Sequence, residues 1–320
     1  MGRLVNFAFI FRICISVLLL SYCFYLVDMD GLLTVLLQVD VPLFMISTFI
    51  AALGLVLFKS LLVWDLFSRK GEVRFREVVK INLVLRFYSI IFPKALVAAM
   101  RWYKYKKFVS SEQALVILSF EVLLGLLVTG IGGALFCLFE MPISFKFLLF
   151  LLIFTFSVYL ILASSRSATL RRSLLFFFGL MPEKLSLKFS ELTHRLAEAI
   201  HQVDMRGRRG LVVLIVSQIG QYLCFLISAW LLAYALGITL DFVIIAWVRS
   251  VVLVLTQVPI SIAGLGIRES AFISIFGLYV IAPEVALAYA FASLSVQILI
   301  AVLGLLVDLY ERLFEAKMAV

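Results

Sequence analysis

Over residues 242–308 the chain is almost continuously apolar, and Arg249 and Arg268 are its only basic residues there. Comparable apolar runs occur upstream at 13–27, 41–64, 114–139, 147–163 and 211–236. A helix needs roughly 20 apolar residues to cross the hydrocarbon core of a bilayer. Apolar residues make up 64% of the chain and charged residues 15%, whereas a soluble domain carries about 45–50% and about 25%. The expectation is an all-α, polytopic transmembrane helical bundle of seven to eight passes, a single membrane domain over 1–320. It divides into N-terminal spans with an interrupted element (1–165), a basic segment (166–209) and C-terminal spans (210–320).

The formal net charge of +9 does not point to nucleic acid. The basic residues gather in a few loops between apolar runs, as cytoplasmic loops do. Arg3 and Arg12 precede the first run, and Asp28, Asp30 and Asp40 follow it without a lysine or arginine. That asymmetry predicts a cytoplasmic N-terminus in the cytoplasmic membrane. No small-residue cleavage site follows the first run, so it reads as a retained span, and the sixth residue is not the serine or threonine of a myristoylation site. Cys14, Cys23, Cys137 and Cys224 all fall inside apolar runs at no metal-ligand spacing, and read as small core residues. No cofactor is expected.

Two apolar stretches are interrupted. The first, 78–100, contains Lys80, Arg86 and Pro93-Lys94, with basic residues on both flanks. It predicts an element bent at Pro93 that enters and leaves from one face, tolerated where protein or water covers it. The second reads V-P-I-S-I-A-G-L-G-I-R-E-S over 258–270. Pro259 removes a backbone donor, Gly264 and Gly266 loosen the chain, and Arg268 and Glu269 put charge where lipid is expected. One reading is a short loop between spans. The other is a broken helix, in which the free N–H groups after Gly266 and the Arg268 guanidinium face one anionic group. Segments 75–101 and 242–268 also share a layout: an apolar run holding one arginine, a proline, then a closing arginine. These landmarks fit an inverted repeat of a transporter type, and they fit coincidence equally.

Lys59 lies near the inner end of the 41–64 run, close enough to snorkel to the surface. Within 166–209, Leu185, Phe189, Leu192, Leu196, Ile200 and Val203 recur at three- and four-residue steps. That pattern predicts an amphipathic helix with a basic face on the inner leaflet. His194 and His201 fall opposite its apolar stripe and read as solvated.

The 258–270 stretch resembles the signature of the lysylphosphatidylglycerol synthase transmembrane-region family, flippase-like membrane proteins with the pattern Pro-x-Ser-x-x-Gly-x-Gly-x-Arg-Glu. Pro259, Ser261, Gly264, Gly266, Arg268 and Glu269 match it. A second family block ends in Arg-x-Tyr; Pro93, Arg101 and Tyr103 fit, while 94–100 lacks the usual glycines and aspartate. A third is matched by Glu121 and Gly125, with Val122 where arginine is usual. The resemblance implies a protein that binds and translocates an anionic phospholipid, or a polyprenyl-linked or other glycolipid. With the chain ending at Val320, no room is left for a soluble aminoacyl-transferase, so the translocating half alone is expected.

The charged residues are consistent with that expectation. An arginine at bilayer depth costs about 2.5–3.5 kcal/mol on insertion scales, so Arg101, Arg249 and Arg268 are expected to face a cavity, with Arg86 beside them and Glu121 and Glu269 as counter-ions. Arg268, Glu269, Gly264, Gly266, Ser261, Pro259, Arg101 and Tyr103 are the candidate head-group residues. Two other classes remain open. One is a non-transporting scaffold of a glycolipid or exopolysaccharide assembly machine, with a glycosyltransferase partner docked on 166–209. The other, less favoured, is a membrane-embedded glycosyltransferase using Asp28-x-Asp30 for a metal, although no sizeable external loop accompanies that motif. The acidic turn reads better as an outer cap, and no enzyme activity is expected.

Overall fold

The computed structural model describes residues 2–67, 73–141, 143–164, 207–257, 261 and 264–318, and every regular element among them is helical. Pro259, the two histidines and nearly all of the basic 166–209 segment lie outside the described residues.

Helix α1 (Gly2–Tyr25) is followed by α2 (Met29–Leu37), bent 87° away from it. The bend is made at Asp28. Its carboxylate accepts the Gly31 N–H at 3.0 Å, and its own N–H donates to Glu284 at 3.1 Å. The acidic turn is thus an N-cap, which satisfies donors a helix start leaves free. Asp40 repeats the device by accepting the Leu43 N–H at 3.0 Å, and opens α3 (Val41–Leu53). The chain then widens into a π-helical segment, Gly54–Lys59, before α4 (Ser60–Phe67) completes a span from Val41 to Phe67.

Helices α5 (Phe75–Ile91) and α6 (Lys94–Tyr105) are separated at Phe92-Pro93. A proline disfavours helical backbone in the residue before it, and Phe92 is extended, with φ −106° and ψ 150°. The predicted break is therefore present. Helix α7 (Ser111–Leu138) starts with a capping box between Ser110 and Gln113. Helices α8 (Phe145–Ser164), α9 (Gly207–Ala235), α10 (Phe242–Leu255), α11 (Ile267–Gly277) and α12 (Pro283–Met318) follow.

Four of these segments are long and apolar enough to cross a membrane: Val41–Phe67, Ser111–Leu138, Val212–Ala235 and Pro283–Glu311. The bent α1–α2 pair makes a fifth if counted as one span, and shorter apolar helices lie at Phe145–Leu160 and Phe242–Leu255. Together they form a polytopic helical bundle. The seven to eight passes expected from sequence count the shorter and broken helices as crossings; by length and composition alone, four or five segments qualify among the described residues.

Glycine sets how closely the helices pack. A Cβ on Gly304 of α12 would sit 2.0 Å from the Leu83 carbonyl oxygen of α5. Tyr88 donates to Asp308 at 3.0 Å and Lys80 pairs with Glu311 at 3.1 Å along the same seam. In the Gly130–Gly133 patch of α7, added Cβ atoms would lie 2.4 Å from the Tyr222 ring (Gly132) and 2.6 Å from the Ser250 Cβ (Gly133). Small residues let helices approach where lipid offers no hydrophobic drive for association. One apolar core gathers around Trp247, Phe272, Phe276 and Tyr289, and another around Leu62, Leu85 and Tyr105.

Candidate functional site

A cavity of about 480 Å³ lies between these helices, within the roughly 300–1,000 Å³ typical of small-ligand sites. Its charged lining comes from six separate elements: Lys59 at the end of the π segment, Arg86 of α5, Arg101 of α6, Glu121 of α7, Arg249 of α10 and Arg268 of α11. Each interrupted stretch contributes one arginine before its break and one after it.

Glu121 is 6% exposed, and its Oε1 takes Lys59 Nζ at 2.9 Å and Arg101 Nη1 at 3.2 Å. Glu121, one of the two expected counter-ions, is thus shared by Arg101 and Lys59. Lys59 departs from expectation: it does not snorkel to a surface but turns into the cavity, with its side chain 17% exposed. The wide turn that carries it packs against α9, where a Cβ on Gly54 would meet the Cys224 Cβ at 2.9 Å. π-helical turns are rare and often mark functional sites. No residue in G-L-V-L-F-K announces one.

At the other interruption, Gly264 and Gly266 adopt φ of +80° and +83°, backbone that residues with a Cβ rarely hold. Gly266 is also pressed against α1, since an added Cβ would lie 2.6 Å from the Leu19 Cβ and 3.1 Å from the Ser16 carbonyl oxygen. Helix α11 begins here. Its third residue, the fully buried Glu269, accepts the Gly266 N–H at 2.7 Å through Oε2. Oε1 of the same carboxylate accepts Arg268 Nε at 3.0 Å and a second bond from Nη2. The reading in which the free helix start and the Arg268 guanidinium meet one external anion is corrected accordingly. The chain's own Glu269 fills that role, and the rest of the Arg268 fork is left to line the cavity.

Arg249 is 8% exposed, with its guanidinium over the rings of Phe225 at 4.7 Å and Phe272 at 5.6 Å. Its Nε has no hydrogen-bond partner among the described residues, nor do Arg101 Nε and Glu121 Oε2. Ser261 is buried, its Oγ without a partner among the described residues, and it is not part of the cavity wall. Tyr103 is 64% exposed and also stands outside. It lies two residues from Arg101, about 200° around the helix, so one face of α6 cannot present both.

Sequence reasoning missed the neutral polar wall. Gln218, Gln221 and Tyr222 of α9 and Ser293 and Gln297 of α12 line the cavity at three- and four-residue steps. Tyr222 and Ser250 share a hydrogen bond at 2.7 Å. A helical-face count over the apolar runs finds these residues, because side chains at that spacing share one side of a helix.

The family model described as the lysylphosphatidylglycerol synthase TM region matches residues 9–304. The chain belongs to that family. The match takes in both interrupted stretches and every charged residue of the cavity wall. Membership implies a multi-pass membrane protein in lipid-related processes. No curated protein and no solved structure matches the chain.

Proposed function

We propose that this protein binds the head group of an anionic phospholipid or lipid-linked sugar in the cavity and moves it across the cytoplasmic membrane, with the N-terminus on the cytoplasmic side. The observation that carries the reading is the cavity itself, walled by five cationic side chains and one carboxylate amid apolar helices. Charges at that depth are costly unless they are paired or serve a ligand. A guanidinium offers a planar fork matched to phosphate oxygens, and glutamines and hydroxyls beside it can donate to sugar or glycerol oxygens. The positions are held by rigid elements: Arg101 by its bond to Glu121, and Arg268 by the capped start of α11.

Reconstitution in liposomes containing acyl-chain-labelled phosphatidic acid or phosphatidylglycerol, with a membrane-impermeant quencher, tests this. The native protein should render label from both leaflets accessible. Arg268→Lys keeps the charge but not the fork, and should slow exchange at least tenfold while the protein stays folded. Native-rate exchange by that variant removes the assignment. Head-group binding without exchange by the native protein favours a scaffold over a flippase.

A further inference from the structure

The charges around the cavity do not balance. Glu121 is shared by Lys59 and Arg101, and Glu269 is committed to Arg268. Arg86 and Arg249 have no carboxylate partner among the described residues. Among the described residues two aromatic faces hold Arg249, and Arg86 lies within electrostatic reach of both Arg101 and Arg249. Like charges gathered in a poorly solvated space repel one another, and a buried charge left unpaired is strongly unfavourable. This arrangement needs an anion, and one negative charge is too few for it.

Resting on the head-group reading above, we infer that the ligand carries two or more negative charges on its phosphoryl group, as a phosphate monoester or a diphosphate ester does and a simple phosphodiester does not. A phosphate monoester carries about 1.5 to 2 negative charges near neutral pH, and a diphosphate ester carries at least as many. A phosphodiester such as phosphatidylglycerol carries one and leaves either Arg86 or Arg249 uncompensated. An aminoacylated phosphodiester, with a cationic amine added, fits the surplus worst of all. The two unpaired arginines come from α5 and α10, the helices before the two breaks. Arg101 and Arg268, which follow those breaks, line the same cavity.

The test is binding to the detergent-purified full-length chain, read by thermal shift and microscale thermophoresis. The probes are short-chain phosphatidic acid, farnesyl diphosphate, phosphatidylglycerol of matched chain length, and inorganic pyrophosphate. Phosphatidic acid and farnesyl diphosphate should bind at least tenfold more tightly than phosphatidylglycerol. Arg249→Met, and independently Arg86→Gln should the first variant fold poorly, should reduce that preference to threefold or less. Equal affinity for monoester and diester, or a preference unchanged in a folded variant, overturns the inference. Pyrophosphate binding as tightly as the lipids upholds the charge requirement but overturns a lipid as its source. Because the readout is binding, a charge preference found here stands even if no lipid exchange is seen in liposomes, so the two readings fail separately.

Discussion

Glu269 grips the guanidinium of Arg268, its neighbour in sequence, while its other oxygen caps the backbone N–H of Gly266. One buried carboxylate therefore fixes both the start of α11 and the direction of the cavity-lining arginine. Removing its charge frees Arg268 without a replacement partner. Glu269→Gln should cost about 3–5 kcal/mol, as expected when one member of a buried pair is lost. A lowered thermal midpoint in detergent checks this; a native midpoint would show the pair to be structurally idle.

Lys59 and Arg101 share one oxygen of Glu121, so the three residues cannot contribute independently. Glu121→Gln should be clearly destabilising, because two cations lose their counter-ion. Lys59→Met alone should be mild, since Arg101 still pairs with the carboxylate. The double variant should be more stable than Glu121→Gln, giving a coupling of about 0.5–3 kcal/mol, the range found within one charge network. Melting curves of the three proteins measure it, and strict additivity would contradict the shared-carboxylate geometry.

Gly266 answers to two constraints that a paired substitution can separate. Its φ of +83° disfavours any side chain, and Leu19 leaves no room for one. Gly266→Ala should lose about 1–3 kcal/mol from the backbone alone, plus the displacement of α1. Adding Leu19→Gly, since alanine would keep the Cβ that crowds Gly266, should recover the displacement, measured against Leu19→Gly alone, but not the backbone part. Full recovery of the thermal midpoint in the double variant would show that crowding alone matters there.

At the α5–α12 crossing the contact is backbone against glycine, with Leu83 O at 2.0 Å from where a Gly304 Cβ would stand. A main-chain carbonyl cannot rotate aside as a side-chain tip can. Gly304→Val should therefore lower the yield of folded, monodisperse protein and break the Tyr88–Asp308 bond. Size-exclusion profiles and thermal midpoints report this, and native behaviour would place the two helices farther apart than described.

Much of this architecture was legible because lipid leaves few options. Apolar runs longer than a bilayer's thickness become helices, and Pro93 breaks α5 from α6 because of what it does to Phe92. The arginines expected to face a cavity do so, because burying them elsewhere is too costly. Lys59 is the exception: a lysine near a span's end ordinarily reaches outward, and here the last residue of the wide turn at Gly54–Lys59 meets Glu121. Tyr103 was placed by motif spacing, and helical phase overruled it. The glutamines of α9 were hidden inside an apolar run, where neutral amides attract less notice than ions. The role of Glu269 at Gly266 depended on backbone angles that no residue pattern specifies.

The wide turn at Gly54–Lys59 has a further consequence for how this molecule can change. A π turn holds one residue more than its α neighbours, so losing a single codon there would restore an ordinary spiral without breaking the rod. The helices on either side would keep their faces, because the wide turn is what takes up the extra residue, and only the bulge would tighten. Lys59 closes that turn and holds Glu121, so the tightening would be felt first at this ion pair. A heritable change of one residue within a single turn would thus reach the charge pattern of the cavity.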